Sequence, residues 1–145
     1  MAPKVPPDKI LYQFYHSLLQ SQCHVSWSLF SKQTQNQFAQ WFLEELQRRN
    51  PNAVNAAQLG VKEVKIMFGN NDSMVMKFFW RRFFFSSGAN EFARFGYFST
   101  DEIQGNQAFV RATVRLPNGQ VREFRLPMVN EKGWKYAYVE NNLPF

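Results

Sequence analysis

The sequence predicts an α+β fold, in which N-terminal helices pack on a curved antiparallel β-meander. Two observations predict it. Residues 107–139 alternate apolar and polar side chains and contain two turn sequences, as successive hairpins do. The chain before them repeats apolar residues at spacings of three and four, which marks one face of a helix. Helices followed by a run of strands are typical of the α+β class.

The turn of the first hairpin sets the register of its two strands. Pro117 presets the backbone of a type I turn, and Gly119 can take the left-handed conformation that follows it. A three-residue loop with a bulge is therefore predicted, which places Ala112 opposite Phe124. A two-residue loop would shift the pairing by one residue and split the apolar face, so the buried face favours the longer loop.

The third strand of the meander continues the same buried face. Trp134, Tyr136 and Tyr138 alternate with smaller or charged residues up to Val139, after a turn at residues 130–133. The first strand carries small inward residues and the third carries large aromatic ones. This gradient suits a curved sheet that wraps helices alone, or helices and a cavity.

Length and composition indicate one domain. With 145 residues the chain is long enough to bury its own core. We place the domain at residues 7–140, with short tails at 1–6 and 141–145. No apolar run approaches a membrane span, and the first residues lack the apolar segment of a signal peptide. A single cysteine, Cys23, fits a reducing compartment. We expect a cytoplasmic protein that does not enter a membrane.

The net charge of +6 and the pI of about 9.7 suit nucleic acid, an anionic surface or an acidic partner. The positive residues are spread along the chain and form no run of like charges. This spread argues against nucleic acid as the partner.

Helical signals occupy most of the chain before the meander. Residues 74–87 are apolar nearly all round, so this helix should be buried on most sides, with Arg81 and Arg82 reaching water or an acid. A strand is the alternative there, but the capping loop before it and its length favour a helix. A first helix is predicted over residues 8–20, followed by a short helical turn within 21–31. A capping box at Thr34 and Gln37 predicts the start of a helix that continues to residue 49, and one or two short helices are predicted within 52–69.

Residues 91–99 are predicted to form a strand with aromatic residues on both faces, in which Gly96 marks a bulge or a close approach. Residues 100–106 are polar and are predicted to form a loop. No repeat and no domain linker interrupts the chain.

This layout resembles the NTF2-like (cystatin-like α+β) superfamily, and within it the small lumazine-binding-like domains of unknown function. The resemblance rests on the first helix at residues 10–15, the phenylalanine-rich helix at 74–87, and the closing residues Gly133-Trp134-Lys135-Tyr136 after a polar hairpin. It implies a cone, with a pocket or a partner surface at its open end. The superfamily includes isomerases, dehydratases, transport factors and non-catalytic modules, so the fold does not name a function.

The predicted inner face of the meander carries no carboxylate, whereas the best-known NTF2-like enzymes use a carboxylate or a His–Asp pair inside the cone. Tyr15 and His16 are the groups that an enzyme would use here, although a buried tyrosine is more often a core residue. Cys23, His16 and His24 are too few ligands for zinc, and no glycine-rich phosphate loop or nucleophile elbow occurs. The sequence therefore predicts no catalytic residue, no cofactor and no metal.

A ligand pocket is predicted between the helix at 74–87, the first helix and the meander, where Ala108 and Ala112 leave room. We predict a non-catalytic binding module for a small apolar ligand or a protein partner. The alternatives are an isomerase- or dehydratase-type enzyme of the same superfamily, and a basic-surface module for RNA or an acidic protein. The pocket would be mostly apolar with a few polar tips, as small-molecule sites are, and its residues are Phe14, Tyr15, Phe124, Trp134, Tyr136 and Arg122.

Arg111, Arg115 and Arg125 form a predicted basic surface on the outer face. Arg111 lies opposite Arg125 in the predicted register, and like charges so placed destabilise a sheet. Glu123 is diagonal to Arg111 and Arg115 and could neutralise them. A solvated Arg–Glu cluster is the favoured interpretation, and a site for phosphate or an acidic partner is the alternative.

The aromatic residues exceed what one small core should hide. Those of the helix at 74–87 cannot all point inward, so some should face a second layer, a ligand or another subunit. An outward row of Phe109, Val121, Ala137 and Val139 would serve as a subunit interface. We predict a homodimer, with a monomer that has a thick helical layer as the alternative.

Overall fold

The computed structural model describes residues 5–86 and 88–138 and confirms the α+β class. Helices pack against a four-stranded antiparallel sheet, which within the described ranges does not close into a barrel. No helix in these ranges is both long and apolar enough to cross a membrane.

The helices are α1 (Pro7–Leu19), α2 (Cys23–Ser28), α3 (Lys32–Arg49), α4 (Pro51–Ala57), α5 (Val61–Gly69), α6 (Ser73–Val75), a π-helical segment (Met76–Trp80), α7 (Arg81–Ser86) and α8 (Ala89–Phe95). The strands are β1 (Gly96–Gln104), β2 (Gln107–Arg115), β3 (Val121–Asn130) and β4 (Trp134–Tyr136).

The strands follow one another in the order β1-β2-β3-β4, and the pairing of β2 with β3 confirms the predicted register. Ala112 lies opposite Phe124, and Gly119 in the turn has a φ of 86°. The Gly119 amide donates to the Leu116 carbonyl over 2.9 Å, and the Leu116 amide donates to the Gln120 carbonyl over 2.8 Å. The three-residue loop therefore keeps the apolar residues of both strands on one face.

The short strand β4 joins the sheet to the helical layer. Tyr136 forms a parallel bridge with Phe30, between α2 and α3. Its amide donates to the Leu29 carbonyl over 2.7 Å, and its carbonyl accepts from the Ser31 amide over 2.9 Å. The third strand was predicted to reach Val139, but β4 ends at Tyr136 and Val139 lies outside the described residues.

The strand predicted over residues 91–99 is wrong in its first half. Residues Ala89–Phe95 form α8, and the backbone becomes extended only at Gly96. Arg94 Nε donates to Asn90 Oδ1 over 2.7 Å, a contact across one helical turn. The loop predicted over residues 100–106 is also wrong, since β1 continues to Gln104. Most side chains of residues 100–104 are polar, and the backbone of these residues pairs with β2.

Two helix starts depend on side-chain caps. Ser31 caps α3, because its hydroxyl accepts from the Thr34 amide over 3.2 Å, so the predicted start at Thr34 is too late. Asp72 caps the phenylalanine-rich helix by accepting from the Met74 amide over 2.8 Å. That predicted helix is confirmed over residues 73–86, and residue 87 lies outside the described residues.

The phenylalanine-rich helix hides most of its aromatic side chains. Phe79 packs on rings from α3 and α5, and Phe83 packs on a ring from α1. Trp80 is buried as well, whereas Phe85 is 70% exposed. The helical layer thus takes up much of the aromatic surplus. The homodimer stays a prediction, which sedimentation against the 17.1 kDa chain mass would test.

Candidate ligand-binding site

Three of the predicted pocket residues meet at the centre of the core. Phe14, Tyr15 and Tyr136 are all buried, and the rings of Phe14 and Tyr136 lie 5.3 Å apart between centroids. The hydroxyl oxygens of Tyr15 and Tyr136 are 3.0 Å apart and share a hydrogen bond. These side chains therefore fill with their own rings the space that the sequence assigns to a ligand.

The room predicted over Ala112 is taken by Phe92 of α8. Phe98 and Phe124 are the two cross-strand partners of Ala112. The Phe92 ring lies 6.5 Å from that of Phe98, 5.1 Å from that of Phe124 and 5.1 Å from that of Tyr15. The predicted pocket is therefore filled by the Phe92 ring. The sequence predicts a strand over residues 91–99, and this prediction does not bring Phe92 over the sheet.

The other two predicted pocket residues lie at opposite ends of β3. Trp134 is opposite Asn130, and Arg122 is opposite Val114 beside the hairpin turn. At a rise of about 3.3 Å per residue, Arg122 and Asn130 are roughly 26 Å apart along this strand. Arg122 is exposed and Trp134 is buried, so they do not form one site with the tyrosines.

The groups named for an enzyme do not form an acid–base site. Burial raises the pKa of both Tyr15 and Tyr136, so both hydroxyls are neutral at pH 7. A general acid or base needs a pKa near the working pH. His16, which was placed inside the cone, is exposed and stacks on Tyr12 with centroids 5.5 Å apart. The tyrosine pair therefore serves the core.

The predicted basic surface is neutralised by β1. Arg111 and Arg125 lie opposite each other as predicted, and Asp101 bridges them at 3.2 Å to each guanidinium. Glu102 adds a second carboxylate 2.5 Å from Arg125. The prediction that Glu123 would do this is wrong, because the acidic segment of β1 was taken for a loop. Among the described residues Glu123 makes no ion pair.

The predicted subunit row is not a continuous apolar surface. The Arg125 guanidinium covers Phe109, 4.0 Å from the ring centroid. Ala137 is buried, and its amide donates to the Pro127 carbonyl over 3.0 Å. Val121 is exposed and Val139 lies outside the described residues. Arg115, the third basic residue, is exposed at the end of β2.

A cleft that sequence reasoning missed lies between helices, away from the strands. We call it the helical cleft. Its volume is about 210 Å³, and it lies where the end of α1, the start of α2, the π-helical segment, α7 and α8 come together. Its walls combine aliphatic and aromatic carbon with a few donors: Leu18, Leu19, Ser21, Cys23, Met76, Trp80, Arg81, Phe84, Phe85 and Arg94.

The polar groups of the helical cleft are mostly hydrogen-bond donors. Arg81 and Arg94 are exposed, and no carboxylate is among the described lining residues. Arg94 uses its Nε on Asn90, which leaves its terminal nitrogens free of hydrogen bonds to the described residues. Trp80 is 2% exposed, and its indole N–H has no acceptor within the described part of the chain. The helical cleft is therefore electropositive.

Cys23 adds a thiol to the helical cleft but no nucleophile. Burial raises the pKa of this thiol to about 12, so the reactive thiolate is scarce at neutral pH. His16 and His24 are exposed, and no cluster of three potential metal ligands occurs within residues 5–86 and 88–138. The described lining of the helical cleft can therefore hold a ligand.

No protein-family model, curated protein or solved structure matches this chain. Function therefore has to be argued from the geometry. The NTF2-like resemblance stays a prediction from the sequence.

A second groove, of about 400 Å³, lies between α1 and β1. Tyr12 and Tyr97 flank it and are 59% and 76% exposed, so an occupant would remain largely in water. Asp8 at this groove is engaged by the Thr100 hydroxyl over 2.8 Å. The helical cleft is the better candidate because two of its lining side chains, Trp80 and Cys23, are buried.

One sequence signal points to the helical cleft. Arg81 interrupts an apolar helix, which predicts only that its charge must reach water or an acid. The structure adds the π-helical segment that ends at Trp80, directly before Arg81. Such insertions are frequent at functional sites because they change which side chains share a face. No periodicity in the sequence reveals the insertion.

Proposed function

We propose that the protein is a non-catalytic binding module for a small, mainly apolar ligand held in the helical cleft. The carrying observation is a cleft lined by aliphatic and aromatic side chains together with polar groups, with two arginines at its rim and no carboxylate among its described lining residues. Small-molecule sites combine apolar walls with placed polar groups. A small ligand fits better than a protein partner, because a volume of 210 Å³ corresponds to about seven water molecules.

A binding role is supported over an enzymatic one by the state of the titratable groups. The Cys23 thiol is protonated at neutral pH and is therefore a poor nucleophile. The tyrosine pair is occupied within the core. The NTF2-like resemblance is part of this proposal, since that superfamily includes non-catalytic modules.

The test uses the neutral fluorescent probe N-phenyl-1-naphthylamine and a variant that narrows the cleft. Leu19 lines the cleft and is 38% exposed, so a tryptophan there can be accommodated at the rim without disturbing the core. We expect saturable binding to the wild type, weakened at least about tenfold by Leu19→Trp, because the probe loses the apolar wall that it would cover.

Ile66→Trp is the matched control. Ile66 is 55% exposed on α5 and does not line the helical cleft. This variant should bind the probe like the wild type. Absence of saturable binding, or equal losses in both tryptophan variants, would refute the proposed site.

A further inference from the structure

We infer that the helical cleft selects ligands that carry one anionic head group, a carboxylate or sulfonate, on an apolar body. This inference rests on the proposed function and adds the charge of the ligand to it. The reasons are the two guanidinium groups at the rim and the aliphatic and aromatic side chains of the remaining walls.

The guanidinium groups at the cleft are available to a ligand. Among the described residues neither Arg81 nor Arg94 makes an ion pair. Other arginines are engaged: Arg48 and Arg49 both pair with Glu45, and Arg111 and Arg125 pair with carboxylates of β1. A carboxylate at the cleft would meet planar donors that suit bidentate hydrogen bonding.

Trp80 gives a probe of the same cleft. Its side chain is 2% exposed and lines the cleft together with the two arginines. Its indole N–H has no acceptor within the described part of the chain. The resonance of this N–H is therefore a reporter on an occupant of the cleft.

The remaining walls suit the apolar body of such a ligand. They include Leu18, Met76 and Phe84, which cannot solvate a charge. A hydrocarbon body with a single carboxylate keeps its charge at the arginine rim and its carbon within the walls.

The experiment compares 2-naphthoate with 2-naphthamide, which have nearly the same shape and differ in charge. Both compete for the helical cleft against N-phenyl-1-naphthylamine. We expect 2-naphthoate to displace the probe at a concentration at least about tenfold lower. The double variant Arg81→Gln and Arg94→Gln should reduce this preference to near unity.

Arg115→Gln is the control for general electrostatics, because Arg115 is an exposed arginine of β2 away from the helical cleft. It should retain the full preference for 2-naphthoate. A direct readout is the indole N–H resonance of Trp80, assigned with Trp80→Phe. It should shift on saturation with 2-naphthoate, which would show that the ligand occupies the helical cleft.

The outcomes separate the two proposals. If the neutral probe binds but 2-naphthoate is no better a competitor than 2-naphthamide, the anion preference is overturned and the binding module stands. Equal loss of preference in Arg115→Gln would also overturn it. If neither the probe nor 2-naphthoate binds and the Trp80 resonance is unmoved, both proposals fall.

Discussion

At Gly119 the backbone is left-handed, and nothing lies within 4 Å of the position that a Cβ would take. Gly119→Ala should therefore lower the free energy of unfolding by about 1–2 kcal/mol through conformation alone. Urea denaturation would measure the change. Gly69→Ala is the control, because Gly69 ends α5 without positive φ and also has open space. It should be neutral or stabilising.

Gly96 is required for a different reason. Its φ of −85° suits any residue, but a Cβ there would collide with the Phe92 carbonyl and lie 3.1 Å from the Phe98 ring. Gly96→Ala should shift the junction between α8 and β1 and destabilise the fold by about 3 kcal/mol. The same urea series would show it. A loss no larger than that of Gly69→Ala would contradict the close approach.

The tyrosine pair allows a test by double-mutant cycle. Tyr15→Phe leaves the Tyr136 hydroxyl buried without its partner, which should destabilise by about 1–3 kcal/mol. Tyr136→Phe should do the same. The double variant should lose clearly less free energy of unfolding than the sum of the two single losses, since it leaves no buried hydroxyl without a partner. Additive losses would mean that the hydrogen bond contributes nothing.

At the scale of residues, the sequence predicted the structure correctly where the apolar alternation of the strands and the turn sequence of the hairpin agreed. Pro117 and Gly119 fix the hairpin loop, and the alternation of β2 leaves one register that buries its apolar face. The helical cleft could not be predicted in this way. It depends on how α8 meets the end of α1, and on the π-helical segment before Arg81, which no local pattern encodes.

Within the sheet, Asp101 keeps two arginines of neighbouring strands together. Asp101→Asn should destabilise by up to about 1 kcal/mol, more at low salt, because Arg111 and Arg125 would then face each other with less compensation. Glu123→Gln is the matched control, since Glu123 makes no ion pair with the described residues. Thermal unfolding at two salt concentrations should change only for the Asp101 variant.

At the scale of elements, the helices and the three-strand meander were predictable because each buries one face. The segment from α8 to β1 was not. Phe92 and Phe95 suit a strand by composition, but Gly88 at the N-cap and the contact of Arg94 with Asn90 favour a helix. The polar residues of β1 hide its pairing, because an edge strand needs no apolar alternation to bond through its backbone.

The whole molecule should lose stability in alkali. Burial raises the pKa of Tyr15 and Tyr136 above the value of about 10 for an unfolded tyrosine. Below pH 10 the folded and the unfolded protein both keep the two tyrosine hydroxyl protons, so the contribution of these tyrosines to stability is complete. Above it the unfolded state releases them first, so stability falls by about 1.4 kcal/mol per pH unit for each tyrosine.

Urea denaturation between pH 9 and pH 11.5 would measure this slope. The Tyr15→Phe, Tyr136→Phe double variant should show a shallower decline than the wild type. Lysines that titrate in the same range are common to both proteins and cancel in the comparison. Equal slopes would show that the two hydroxyls ionise in the folded protein as readily as in water.

The bond between Tyr15 and Tyr136 joins residues 121 positions apart, and β4 also seals the junction of α2 and α3. A ribosome releases these helices long before it reaches that strand. Until then Phe14 and Phe30 lack the Tyr136 ring that they contact in the folded protein, and the emerging helices expose apolar rings to other nascent chains. The core is therefore complete only once β4 is available. A chain stalled after β3 should bind a chaperone that a chain extended past Tyr136 releases.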